Sequence, residues 1–124
     1  MKKGILEIYG LAICFVAIIF LIFHMSEGIY HGIGILKPEL TLPSYTYERH
    51  QSNARYKQSW KNKEDIPSEE EVTRLRKESY EIVIRSESRT RFQQLVKNFI
   101  YIVLAGVVLL IHWKLSKRAR QTAS

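Results

Sequence analysis

Residues 5–23 read ILEIYGLAICFVAIIFLIF, and this stretch decides the fold. Fourteen of its nineteen residues are large and aliphatic or aromatic, and Glu7, one turn from its start, is its only charge. As an α-helix the run is about 28 Å long, close to the ~30 Å hydrocarbon thickness of a bilayer. At roughly −0.3 to −0.6 kcal/mol per strongly apolar residue, insertion gains about 4 to 8 kcal/mol, which a peripheral Glu7 does not overturn. A cleaved signal peptide is the rival reading, since Met1-Lys2-Lys3 is basic and Ser26-Glu27-Gly28 offers small residues. A signal core, however, is only about 7 to 15 residues long. Leu11-Ala12-Ile13-Cys14 lacks the small residue that a lipoprotein box places before its cysteine. Cys14, the single cysteine, therefore reads as a small buried residue with no internal disulfide open to it.

Outward from this run, the next apolar stretch is Phe99 to Ile111, FIYIVLAGVVLLI. Thirteen residues are also compatible with a buried helix of a soluble domain, and the borders decide. Lys97 and Lys114 can extend their charged heads to either interface, Tyr101 and Trp113 suit the interfacial belt, and insertion gains roughly 3 to 6 kcal/mol. Counted from Asn98 to Leu115 the span is about 27 Å. The expected fold is thus all-α: two antiparallel transmembrane helices, the second preceded by a long charged amphipathic helix, with an irregular Pro- and Tyr-containing loop between. The expected divisions are 1–36 for the first span and its interfacial extension, 37–67 for the linker, 68–97 for the amphipathic helix, 98–115 for the second span and 116–124 for a basic tail.

The net charge of +7 concentrates in that tail, where Lys114, Lys117, Arg118 and Arg120 are met by no acidic residue. With Lys2 and Lys3 before the first span, the positive-inside tendency places both termini in the cytoplasm and the loop outside. Arg85, Arg89, Arg91, Lys97 and Lys37 on the loop side oppose that assignment. Lys97, Trp113, Lys114, Lys117, Arg118 and Arg120 are the expected membrane-interface residues, the tail cations facing anionic headgroups.

Gly10, Cys14 and Ala17 fall at i, i+4 and i+7, one small-residue helix face along which a second helix can approach, and Ala105 and Gly106 are their mid-membrane counterparts. These five are the expected helix-packing residues, for an internal hairpin or a homo-oligomer. Beyond His24, Gly28, Gly32 and Gly34 lower helix propensity by about 1 kcal/mol each, so the helix is expected to fray there. Lys37-Pro38 then ends it. Residues 37–67 contain all three prolines and no period. Ser68 to Glu71 has the form of a capping box, so a helix starts there, followed by the i, i+4 pairs Glu70/Arg74, Glu81/Arg85 and Glu87/Arg91. Ile82 to Thr90 is its weak place, and Val72, Leu75 and Ile82 make a partial coiled-coil seam broken by Ser79, Ser86 and Arg89.

Candidate chemistry is sparse. His24, Glu27 and His31 at i, i+3 and i+7 would present two imidazoles and a carboxylate on one helix face, an incomplete transition-metal site. Glu7 and His112 are both expected near the cytoplasmic boundary on antiparallel helices, where they could pair, but their shallow depth favours ordinary interfacial solvation. Arg49, Arg55, Tyr56, Lys57, Trp60, Lys61 and Lys63 interleave cations with aromatics, as single-strand nucleic-acid or anionic-lipid contacts do, but the acidic residues that follow favour a solvated loop. There is no Gly-rich phosphate loop, GxSxG, HExxH or Cys-x-x-Cys. No enzyme activity, cofactor or nucleic-acid partner is expected.

Tyr9 opening a Leu/Ile-rich span, Leu42-Pro43-Ser44-Tyr45 after it, and His112-Trp113-Lys114 closing the last span resemble an uncharacterised bacterial family of two-span membrane proteins, a domain of unknown function. The likeness touches about half the chain, and Gly32-Ile33-Gly34 departs from it. It implies an all-helical protein of the bacterial inner membrane and supplies no activity. The function expected is that of a non-enzymatic accessory subunit or homo-oligomeric scaffold, its partner another membrane protein or itself. The alternative is a metal- or proton-handling subunit using His24, Glu27 and His31.

Overall fold

The computed structural model describes residues 2–122. The side chains of Lys2 and Lys3, and the last two residues of the expected tail, lie outside the described residues. All regular structure among the described residues is helical: α1 (Lys2–Leu36), a 3₁₀ turn (Pro38–Leu40), α2 (Ser44–Arg49), α3 (Asn53–Lys57), a second 3₁₀ turn (Lys63–Asp65) and α4 (Glu69–Gln121). Two of these, α1 and α4, are long and apolar enough to cross a membrane. Neither the glycines after His24 nor the β-branched stretch Ile82 to Thr90 interrupts its helix.

The chain divides into two units, Met1–Ile29 with Gln94–Ser124, and Tyr30–Gln93. In the first, the side chains between the two helices are small or polar: Cys14, Ala17, Asn98, Ala105, Ser116 and Ala119 are buried. The large apolar ones, among them Ile8, Phe15, Ile22, Phe23, Phe99, Leu104 and Leu110, are exposed. Of the most apolar eighteen-residue window, only 17% is buried in α1 and 11% in α4. That distribution is the inverse of a water-soluble core, in which large aliphatic and aromatic residues are the ones hidden.

In the second unit the expected irregular linker is corrected by the structure. Residues 37–67 form short helical turns, because each proline stands where a turn begins rather than where one is broken: Pro38 opens the first 3₁₀ turn, Pro43 is the N-cap of α2, and Pro67 precedes the Ser68 cap. Ser52 caps α3 by accepting the Arg55 amide. These turns are tied to α4. The buried His50 accepts at Nε2 from the Ser79 hydroxyl (3.0 Å) while its Nδ1 donates to the Thr46 carbonyl (2.7 Å). Arg76 donates to the His50 carbonyl (2.6 Å) and to Asn53 Oδ1 (2.9 Å), and Asn53 donates to Thr73 (2.8 Å). Tyr56, also buried, reaches the Leu75 carbonyl.

The cap of α4 differs from a full capping box. Ser68 Oγ accepts the Glu71 amide at 3.4 Å, but the Glu71 carboxylate turns forward onto Arg74, which also binds Glu78. Glu70/Arg74 is therefore replaced by Glu71/Arg74/Glu78, the guanidinium reaching one turn back and one turn forward. The expected seam is altered as well. Val72 is fully buried, whereas Ile82 is exposed and Ser79 takes an inward place because His50 satisfies its hydroxyl.

Candidate functional site

Among the expected packing residues, Gly10, Cys14, Ala17 and Ala105 line the contact between α1 and α4. A Cβ built on Gly10 would stand 3.2 Å from Ser116 Cβ and 3.3 Å from the His112 carbonyl oxygen, a closeness that only a residue lacking Cβ allows without adjustment. The Cys14 thiol donates weakly to the Leu109 carbonyl at 3.8 Å. Ala17 and Ala105 form the floor of an apolar groove whose walls include Ile13, Phe20, Tyr101 and Val108. Gly106 is the exception. A Cβ there would meet nothing within 4 Å, so this glycine does not contact α1: one residue beyond Ala105 is about 100° further round the helix.

Sequence reasoning missed Asn98, Ser116 and Ala119. Asn98 Nδ2 donates to the His24 carbonyl (2.8 Å), and its Oδ1 lies 2.6 Å from His24 Nδ1. Because an amide oxygen only accepts, His24 Nδ1 carries the proton of that bond. The result is a reciprocal clasp between residues 74 apart in sequence, with Phe20 and Tyr101 packed on the imidazole. A signal for these residues was present. Apart from Ile13 and Gly106, the less exposed positions of this unit are Glu7, Gly10, Cys14, Ala17, Leu21, His24 and Gly28 on α1 and Leu95, Asn98, Ile102, Ala105, Leu109, His112, Ser116 and Ala119 on α4. Their steps alternate between three and four, the period that keeps two helices in continuous contact. A search for apolar periodicity passes over it, because most of these residues are polar or small.

Glu7 is engaged by Arg120, whose Nε donates at 2.9 Å, and not by His112, which donates from Nδ1 to the Val108 carbonyl and lies against Tyr9. Arg120 is thus committed to an internal ion pair, unlike its expected place among the headgroup contacts. Trp113, Lys114, Lys117 and Arg118 are exposed, and Lys97 lies over the Tyr101 ring.

His24 Nδ1 also sits 3.3 Å from Glu27 Oε2, which leaves that nitrogen occupied by protein acceptors. Among the described residues, no group of three or more His, Cys, Asp or Glu side chains is placed to hold a metal ion, so His24, Glu27 and His31 do not assemble the expected ligand set.

In the Tyr30–Gln93 unit the closest polar junction is Thr41, Glu87 and Arg91. Thr41 Oγ1 donates to Glu87 Oε1 (2.8 Å), Arg91 Nε donates to the same oxygen (2.6 Å), and Arg91 Nη2 reaches the Thr41 carbonyl (3.3 Å) while the guanidinium covers Tyr30. Further along, burial pushes the Tyr80 phenol up from its ordinary value, with Glu39 and Tyr47 adding to the shift. The loop cations are largely spoken for: Arg55 pairs with Glu48, Lys57 with Glu69, and Arg49 lies over Tyr56. Comparison of the chain with protein-family models, with curated proteins and with solved structures finds no match.

Proposed function

We propose that this is a non-enzymatic integral membrane protein, an accessory subunit or homo-oligomeric scaffold of a bacterial inner membrane, built on two antiparallel spans with both termini cytoplasmic and the intervening unit outside. The observation that carries the reading is the inverted burial of the Met1–Ile29 and Gln94–Ser124 unit: small and polar residues between the helices, large apolar ones around them. Lipid is the solvent in which that arrangement has low free energy, since helix association there depends on close backbone approach and interhelical hydrogen bonds. The falling order of neighbours along α1, from Arg120 at Glu7 through Ser116 at Gly10 and Leu109 at Cys14 to Asn98 at His24, supports antiparallel spans. The alternating three- and four-residue steps support coiled-coil-like packing between them.

Because Gly10, Cys14, Ala17 and Ala105 are used within the chain, a second membrane helix, from another copy or another protein, is given the open side of α4 at Gly106. The exposed cations Lys114, Lys117 and Arg118 suit the anionic cytoplasmic leaflet. Co-purification of two differently tagged copies from native membranes tests the scaffold reading. Gly106→Leu should abolish recovery of the second copy, or of a distinct partner, and leave the chain folded, whereas Gly10→Leu should unfold the hairpin itself. Unchanged recovery with Gly106→Leu contradicts the assignment of that face.

A further inference from the structure

A cleft of about 380 Å³ lies in the Tyr30–Gln93 unit, lined by Tyr45 and Arg49 with Glu48 from α2, Arg55 from α3, and Gln58 and Ser59 just beyond it. Two of these side chains are fixed by the fold. Arg55 Nη1 donates to Glu48 Oε2 at 3.0 Å. Arg49 is held more firmly: its Nη2 donates to Ser59 Oγ (2.8 Å), Ser59 in turn donates to the Tyr56 carbonyl (2.8 Å), and the guanidinium lies 5.5 Å from the centre of the Tyr56 ring. Yet Arg49 Nε is buried and has no hydrogen-bond partner. A buried cationic donor left without an acceptor is costly, and Nε together with an Nη forms the fork by which guanidinium takes an oxyanion through two parallel bonds.

We propose that this cleft binds an anionic phosphate group, as a free phosphomonoester or as the phosphodiester of a lipid headgroup, with Arg49 as its principal ligand. The lining carries two guanidinium groups and one carboxylate, a net charge of one, which attracts an anion. Ser59 and Tyr56 already order the Arg49 side chain, so less entropy is lost on binding.

Trp60 reports on the site, since its ring lies 6.4 Å from the Tyr56 ring that supports Arg49. The test uses the full chain carrying Trp113→Phe, in uncharged dodecyl maltoside micelles, titrated with glycerol 1-phosphate against chloride at constant ionic strength. The expected result is a saturable change in Trp60 emission with Kd on the order of 1 mM or tighter. Arg49→Lys keeps the charge but loses the fork and should weaken binding at least about tenfold. Gln58→Glu, at an exposed position, cancels the net charge of the lining and should weaken it similarly without disturbing the fold. Arg85→Gln, remote in sequence and exposed, should leave the titration unchanged. A second arm compares phosphatidylcholine nanodiscs with and without phosphatidylglycerol. An emission change on adding phosphatidylglycerol that Arg49→Lys removes assigns the ligand to a headgroup; a response to glycerol 1-phosphate alone assigns it to free phosphate. No saturable change in either arm, an equal response to acetate, or unaltered binding in both Arg49→Lys and Gln58→Glu overturns the proposal.

Discussion

Replacing Gly34 with alanine should destabilise the Tyr30–Gln93 unit, although alanine is the better helix former. A Cβ at residue 34 would stand 2.5 Å from Arg91 Cγ, 2.9 Å from Arg91 Cδ and 2.8 Å from Thr41 Oγ1. All three are closer than a real Cβ comes, so something must shift. Arg91 cannot simply swing aside, because its Nε is bonded to Glu87 and its guanidinium covers Tyr30, and the side chains of Glu87 and Arg91 are only 13% and 19% exposed. Thr41 is equally constrained, with Oγ1 on Glu87 and its carbonyl accepting from Arg91. Overpacking of this kind costs about 1 to 3 kcal/mol, and loosening hydrogen bonds to charged groups costs about 1.5 to 3 kcal/mol more. The gain in helix propensity offsets about 1 kcal/mol. The net expected loss is roughly 1.5 to 5 kcal/mol, which corresponds to amide exchange about 10- to 5,000-fold faster across this unit. Gly32 is the internal control. Nothing lies within 4 Å of a Cβ built there, so Gly32→Ala should slow exchange by up to about fivefold through propensity alone. Hydrogen exchange of the full chain in micelles, read by mass spectrometry, measures both. If Gly34→Ala slows exchange as Gly32→Ala does, the junction of Thr41, Glu87 and Arg91 is not closed over the glycine and the reasoning fails.

Three further outcomes follow from the same contacts. Asn98→Leu removes both bonds to His24 and leaves its Nδ1–H to Glu27 alone; detergent-titration unfolding should show a loss of about 1 to 2 kcal/mol, and an unchanged midpoint would deny the clasp. Ser116 Oγ is buried with no partner, so Ser116→Ala should raise the unfolding midpoint by about 1 kcal/mol, whereas Ser116→Leu, driven against Gly10, should lower it; matching shifts would contradict the contact. Arg74 beside Glu71 holds that carboxyl below its ordinary value of 4.5. A lowered folded value means that its contribution is present above pH 4.5 and lost as pH falls through the folded value. Protection of residues 69–74, taken relative to the intrinsic exchange rate at each pH, should therefore fall between pH 5 and pH 2 less steeply in Glu71→Gln than in the parent chain, a difference checked by pH-dependent exchange.

The two long apolar helices were legible because length and composition act over twenty residues at once, and no local exception in Ile5–Phe23 outweighs the sum. Gly10, Cys14, Ala17 and Ala105 were legible because small size at helical spacing has one use between packed helices. Gly106 shares that size but faces another direction, which composition does not encode. Asn98 and Ser116 stayed hidden because polar residues near the ends of apolar runs look like interfacial borders; only their partners, His24 and Gly10, distant in sequence, give them an inward role. The turns within 37–67 were obscured by prolines read as terminators, when Pro38 and Pro43 begin helical turns. Arg74 chose Glu71 and Glu78 over Glu70 because both i−3 and i+4 acceptors lie within reach of one guanidinium, a choice that spacing rules leave open.

The central claim is that α1 and α4 both cross the bilayer and return the chain to the side on which it began. In a Cys14→Ala background, single cysteines at Gly4, Lys61 and Lys117 can be reacted with a membrane-impermeant maleimide in sealed vesicles of known orientation. The expected result is that positions 4 and 117 are labelled together from the cytoplasmic face and position 61 only from the opposite face. Labelling of 4 and 117 from opposite faces, or of all three from one face, contradicts it.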